Sequence, residues 1–176
     1  MCEPFNSFLA ELSKGLELKG ASMTYSVHQE TIEVQTPGRS TQNVTRLIQK
    51  AVSRSGIEKG HCLVFLQHTS ASLMLCENAD PDVCRDLETF FSDLVQDGDP
   101  RFVHTAEGPD DMSAHVRTVL THNSLQIPVS NGRCALGTWQ GVFLWEHRAR
   151  AHRRTILVSV EGSRESKGGD TPEFIK

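Results

Sequence analysis

Residues 124–162 read SLQIPVSNGRCALGTWQGVFLWEHRARAHRRTILVSVEG, and their reading decides the fold. The stretch breaks into the strand-like runs SLQIPVS, RCALG, GVFLWEH and RRTILVSVEG, with no helical pattern between them. Asn131-Gly132 is a dipeptide suited to a two-residue hairpin, because both positions tolerate positive φ. Strands that follow one another in a run, rather than alternating with helices, point to an α+β fold and a mainly antiparallel sheet or sandwich.

Working outward, GHCLVFLQH (60–68) reads as a buried strand and SLMLCEN (72–78) as the next. SMTYSVHQETIEVQT (22–36) alternates and is β-branched, giving one long strand or a hairpin before a turn at Pro37-Gly38. Three helices are expected in the body and its N-terminal approach, and a fourth near the middle. FNSFLAELSKGLEL (5–18) carries Phe5, Phe8, Leu9, Leu12 and Leu16 at helical spacing. Thr41 opens TQNVTRLIQKAVSRSG, whose stripe Val44, Leu47, Ile48, Ala51 and Val52 stops at Gly56. Asp80 caps a helix with Pro81 in its first turn, and Val83, Leu87, Phe90, Phe91 and Leu94 face inward. Asp110 or Asp111 caps a last helix to about Thr121, with Met112, Val116, Val119 and Leu120 as its buried stripe. The expected architecture is a β-rich sandwich with three or four helices. It divides into a helical extension (1–22), one domain (23–162) and a polar, flexible tail (163–176).

A chain of 176 residues can bury a core without disulfides or a structural metal. Its net charge of -4 argues against a general nucleic-acid binder, which needs a surplus of Lys and Arg to neutralise phosphate. HRARAHRR (147–154) is a local basic stretch that a solvated turn explains equally well. No apolar run reaches the roughly 18–20 residues that span a bilayer. MCEPFNSF lacks the features of a secretory signal. Cys2, Cys62, Cys76, Cys84 and Cys134 are odd in number and contain no CxxC, which fits free thiols in a cytoplasmic protein. Neither GxGxxG nor a Walker sequence is present.

Four segments carry residues suited to chemistry. HTAEGPDDMSAH (104–115) packs two histidines and three carboxylates around Gly-Pro. With His68, the imidazoles of His104 and His115 form a ligand set for Zn²⁺ or a similar divalent metal with a position left open. Nearby carboxylates can orient them, and Glu107 or Asp111 can exchange a proton. In QHTSAS, Ser70 or Ser72 becomes a nucleophile only with a base beside it; a strand-ending turn explains the segment more simply. In LGTWQG (136–141) a tight corner accounts for the glycines and packing for Trp139, whereas Gln140 is free to orient a substrate. In ENADPDVCRD (77–86) capping accounts for Asp80 and Asp82, and Glu77 precedes the cap. Taken singly, each histidine is more readily a hydrogen-bonded or surface residue than a ligand.

Together, HTSASLMLCENADPDVCRDL (68–87), HTAEGPDDMSAH (104–115) and the run from Ser124 through LGTWQGVFLWEHR to Arg148 resemble the YjbQ family, often labelled secondary thiamine-phosphate synthase. The resemblance covers about residues 23–162. It implies a β-rich α+β subunit that assembles as a homotrimer around a metal-competent pocket at His68, His104 and His115. Glu77, Asp80, Glu107, Asp111, Thr138, Trp139 and Gln140 match other characteristic positions. Thr121-His122-Asn123 and Gln96 depart from the family pattern at loops. Joining a pyrimidine diphosphate to a thiazole phosphate calls for a phosphate cradle and a hard Mg²⁺. Imidazoles suit a softer metal, and no glycine-rich phosphate loop is present. The leading expectation is therefore a metal-dependent enzyme acting on a small phosphorylated or heterocyclic molecule. Glu107 and Asp111 would exchange protons, with Gln140, Thr138 and Trp139 around the substrate, alongside Ser70, Glu77 and Asp80. Thiamine-phosphate synthesis would be a side activity. A trimeric metal- or metabolite-binding protein without turnover is the alternative, and a purely structural polar cluster the third reading.

Overall fold

The computed structural model describes residues 24–164. The expected helix at 5–18 lies outside the described residues, and so does the expected tail (163–176) from residue 165 onward; the tail's first two residues, Ser163 and Arg164, are instead the end of the last strand, paired with Tyr25 and Thr24. Eight strands and three helices follow in the order β1 (Thr24–Gln35), β2 (Ser40–Asn43), α1 (Thr45–Ser55), β3 (Lys59–Leu66), β4 (Ala71–Glu77), α2 (Pro81–Leu94), α3 (Asp111–Leu120), β5 (Ser124–Ser130), β6 (Arg133–Cys134), β7 (Gln140–Glu146) and β8 (Arg153–Arg164). The fold is α+β, and every strand pair is antiparallel.

The strands form two sheets. The larger has the order β1-β8-β3-β5-β6 and the smaller β2-β7-β4. Alternation in β3 sends Cys62, Val64 and Leu66 inward, and β8 does the same with Ile156, Val158 and Val160. Leu73, Val142 and Leu144 of the smaller sheet and Ile48, Ala51 and Val52 of α1 complete one shared core. Each fully buried Val, Leu or Ile among them contributes about 1.5–3 kcal/mol relative to an exposed one. Asn131 and Gly132 take φ 51 and 69, and so make the expected hairpin between Ser130 and Arg133. Gly56 closes α1 in the left-handed conformation at φ 66.

Several elements depart from the sequence reading. Ser40–Asn43 is a strand paired with β7, so α1 begins at Thr45 rather than Thr41. The edge of β7 offers this polar stretch a ladder, and the Asn43 side chain then accepts the Thr45 N–H at 3.0 Å. β6 ends at Cys134 instead of reaching Gly137. α2 begins as expected, with Asp80 accepting the Asp82 N–H at 2.9 Å and Pro81 following. It lies only half-covered on the smaller sheet: Phe91 packs edge-on to Trp145, while Phe90 and Leu94 are exposed. α3 is turned furthest from expectation. It buries Asp111, Ser113, Ala114 and Arg117 and leaves Val119 84 % exposed. Asp110 stands at the cap position but makes no cap bond, because its carboxylate takes Arg148 Nε and the Ala149 N–H instead. Among the described residues no helix is long and apolar enough to cross a membrane.

Candidate metal centre

Three chain segments meet at one end of the smaller sheet: the turn between β3 and β4, the first turns of α3 with the loop before it, and the connection from β7 to β8. α3 positions Asp111 and His115 four residues apart on one face. The preceding loop brings His104 over them. One donor atom from each of His104, Asp111 and His115 lies within 4.8 Å of the others.

The proton positions follow from the partners. His115 Nδ1 is 2.8 Å from the Thr69 carbonyl, which can only accept, so Nδ1 carries a proton and Nε2 is the nitrogen turned toward Asp111. That Nε2 is 3.3 Å from Asp111 Oδ2, and His104 Nε2 is 2.9 Å from the same oxygen. Asp111 is 2 % exposed, and its other oxygen accepts from Arg148 Nη1. Two imidazole nitrogens and one carboxylate oxygen thus lie together, while the remaining polar atoms of His115 and Asp111 are occupied. This donor set fits a divalent metal of intermediate softness.

Arg148 organises the acidic side. Its Nε donates to Asp110 Oδ2 at 3.1 Å and its Nη2 to the Glu107 carbonyl at 2.9 Å. Burial lowers the Arg148 pKa, but the Asp110 hydrogen bond and the charges of Asp110, Asp111 and Glu107 outweigh it and raise it overall. Behind the turn, Glu146 and Arg154 form a buried ion pair. Burial pushes the Glu146 carboxyl up, yet Arg154, the Arg148 N–H and Thr36 hold it below the usual carboxylate range.

His68 is not the third donor of the trio. Its Nε2 accepts the Thr155 N–H at 2.8 Å and its Nδ1 faces Arg154 Nη1 at 3.3 Å. Burial first, and the Arg154 charge second, depress its pKa. Asp111 stands with His104 and His115 instead. Ser70 is buried with its hydroxyl accepting from Arg154 at 3.1 Å, and no base is paired with it. Ser72 does have a histidine partner, His147 Nε2 at 2.6 Å, but both are sealed from solvent and so cannot meet a substrate. Glu107 is at the rim, its carboxylate 3.7 Å from Arg148.

The remaining expected site residues gather elsewhere. β4 and β7 pair from Ala71↔Glu146 to Glu77↔Gln140, six residues along each strand, or ~20 Å. The trio adjoins the first pair. Glu77, Trp139 and Gln140 line an open hollow of about 450 Å³ at the other, with Leu75 and Cys76. Thr138 is exposed in the turn there, and the Gln140 side-chain oxygen closes that turn on the Gly137 N–H at 2.9 Å. Asp80 caps α2 beside a second hollow that Glu77 also borders.

Sequence reading missed Thr69, whose contribution is a backbone carbonyl, and Glu146. The signal for Glu146 was an ionisable residue ending the apolar run GVFLW in a strand buried on both faces. Arg148 and Arg154 are both occupied by carboxylates and leave no free guanidinium face beside the trio for a phosphate.

The profile of the family described as "UPF0047 protein YjbQ-like" matches residues 30–163. UPF0047 protein sll1880 of Synechocystis is 51% identical over 142 residues, covering 81% of this chain and 97% of that protein. UPF0047 protein YjbQ of Escherichia coli O157:H7 is 38% identical over 136 residues, covering 77% and 98%. A crystal structure of an uncharacterised YjbQ/UPF0047 protein from Clostridium acetobutylicum superposes with a TM-score of 0.66 at 32% identity, over 76% of this chain and 98% of that one. A YbjQ-like protein of unknown function from Sulfolobus solfataricus P2 gives 0.73 at 25% identity, over 79% and 99%.

Proposed function

The chain belongs to the YjbQ-like UPF0047 family, and from that premise we propose that it is a metal-dependent enzyme acting on a small phosphorylated or heterocyclic molecule. The observation that carries the proposal is the convergence of His104, Asp111 and His115, with Asp111 buried and His115 held as the Nδ1–H tautomer. When bound, a divalent cation, zinc first among the candidates, supplies Lewis acidity toward a substrate oxygen or water. Glu107, 68 % exposed at the rim, exchanges a proton with substrate. The occupation of both nearby arginines by carboxylates supports hydrolytic or lyase chemistry over thiamine-phosphate synthesis, which stays a side activity in this reading.

Elemental analysis of the purified protein is the test. About one Zn, Ni, Fe or Mn per chain is expected, and its loss in a His104→Ala variant that still melts cooperatively. A wild type that takes up no metal under any loading condition would end the proposal.

One observation favours a second reading, a metal- or metabolite-binding protein without turnover: Thr138, Trp139 and Gln140 lie at the far end of the sheet from the trio. Glu107→Gln separates the two. An enzyme loses rate while keeping its metal, and a binder shows the same affinity and no rate to lose. A homotrimer is proposed on the family resemblance. The exposure of Val103, Val119 and Leu120 beside the centre supports it.

A further inference from the structure

Both oxygens of the Glu146 carboxylate are engaged, in a side chain with no exposed surface. Oε2 accepts from Arg154 Nε at 2.7 Å and from the Thr36 hydroxyl at 2.8 Å. Oε1 accepts from Arg154 Nη2 and from the Arg148 backbone N–H at 3.0 Å. Two arms leave this carboxylate and end on two different members of the trio.

The first arm runs through Arg154. Its Nη2 also donates to the Ser70 carbonyl at 3.3 Å and the Ser70 hydroxyl at 3.1 Å, and its Nη1 lies 3.3 Å from His68. These bonds hold the turn between β3 and β4 in place. The turn's Thr69 carbonyl takes the proton of His115 Nδ1. The second arm runs through Arg148. With its backbone fixed on Glu146, its guanidinium takes one oxygen of Asp111, which leaves the other facing the two imidazoles.

Glu146 touches none of the three candidate ligands. We propose that it is the positioning residue of the metal centre: through Arg154 and the Ser70 turn it sets the tautomer of His115, and through Arg148 it sets the orientation of Asp111. A carboxylate is required because all four partners are donors: Arg154 Nη2 and the Arg148 N–H fall on one oxygen and Arg154 Nε and the Thr36 hydroxyl on the other, so Glu146→Gln sets an NH2 group against one of these donor pairs. A buried ion pair is a poor source of net stability, because desolvation offsets most of its attraction, so a role in ordering the site gives its retention a physical reason. The inference rests on the metal-centre reading of His104, Asp111 and His115.

The experiment compares wild type with Glu146→Gln, titrating Co²⁺ and Zn²⁺ into metal-free protein. It also reads the His115 tautomer from long-range ¹H–¹⁵N correlations without metal. The wild type should show His115 protonated at Nδ1 and bind Co²⁺ with a d–d spectrum of ordered geometry. Glu146→Gln should bind about 10- to 100-fold more weakly, as outer-shell losses do. It should also show mixed His115 tautomers and a broadened spectrum. Glu146→Asp should recover part of both, since it restores two acceptor oxygens. A purely structural role would lower the melting temperature but leave tautomer and spectrum alone. Equal affinity and an unchanged tautomer in folded Glu146→Gln would overturn the inference and leave the metal centre standing. A wild type that binds neither ion would instead remove the metal-centre reading, and this inference with it. If Glu146→Gln does not fold, the wild-type tautomer still decides: His115 without a proton on Nδ1 in the metal-free protein overturns the proposal without any variant.

Discussion

His147 is an imidazole sealed between Trp145, its own strand end and Ser72, with its Nε2 2.6 Å from the Ser72 hydroxyl. Burial first, then the charge of Arg117, drives its pKa down to about 3. The unfolded chain returns it to about 6.5. Between those values the unfolded state binds the proton and the folded state does not, so stability rises with pH across the window. The contribution is complete above the unfolded pKa and is lost as pH falls toward the folded one. From pH 7 to pH 5 this single residue should cost about 2 kcal/mol. Urea unfolding of wild type and His147→Gln at the two pH values checks it: the wild-type loss should exceed that of the variant by about that amount. Equal losses would mean that His147 takes its proton without unfolding. Glu146 pulls in the same direction at lower pH. Its carboxyl sits below the usual range, so what it contributes is present above the unfolded carboxylate pKa and disappears as pH falls through the folded one.

The strands show where periodicity carries enough information and where it does not. β1, β3, β5 and β8 alternate because one face is packed and the other is not, and that pattern can be read directly from the residues. Ser40–Asn43 has no such pattern, and only its pairing with β7 makes it a strand. α3 misleads for a different reason. Its inward residues are polar because they meet buried partners, Asp111 with Arg148 and Arg117 with the Val95 carbonyl at 2.8 Å. A rule that sends apolar residues inward then picks the wrong face. One close approach within the larger sheet depends on glycine. Gly60 of β3 and Gly162 of β8 face each other across the ladder. A Cβ on Gly162 would lie 2.1 Å from the Lys59 carbonyl oxygen, one on Gly60 1.9 Å from that of Glu161, and Gly162 holds φ 150. Both neighbours are backbone and cannot swing aside. Gly60→Ala should therefore destabilise by about 1–3 kcal/mol, as overpacking does, and lower the melting temperature by several degrees. Gly137→Ala meets only the flexible Gln140 side chain at 3.3 Å and should change little. Calorimetry of both variants tests the contrast, and similar melting temperatures would show that the two strands separate freely.

At the scale of the whole molecule, the centre divides into what local sequence announces and what only the fold assembles. HTAEGPDDMSAH contains all three candidate ligands, since a loop and one helical turn suffice to bring them together. Assigning His68 to the set required a long-range judgement, and the fold placed that imidazole on Arg154 and the Thr155 N–H instead. Glu146, Arg148 and Arg154 lie far along the chain from the residues they order, so their roles depend on the antiparallel return of β7 and β8. The same assembly leaves Val103, directly before His104, 97 % exposed, and Val119, one helical turn beyond His115, nearly as open. Apolar residues flanking a polar centre are expected where another chain covers them. The proposed homotrimer places its interface there, and sedimentation velocity of wild type should give about three times 19.5 kDa. Val119→Lys combined with Leu120→Lys puts two charges on that surface without touching a buried contact, and should yield a folded monomer. The outer face of the larger sheet also exposes Val27 and Leu63, so Val27→Lys with Leu63→Lys is the matching comparison, expected to stay trimeric. Dissociation by the sheet pair alone would move the interface to that face. A wild type that sediments as a monomer would remove the trimer and leave the apolar rim of the centre to some other partner.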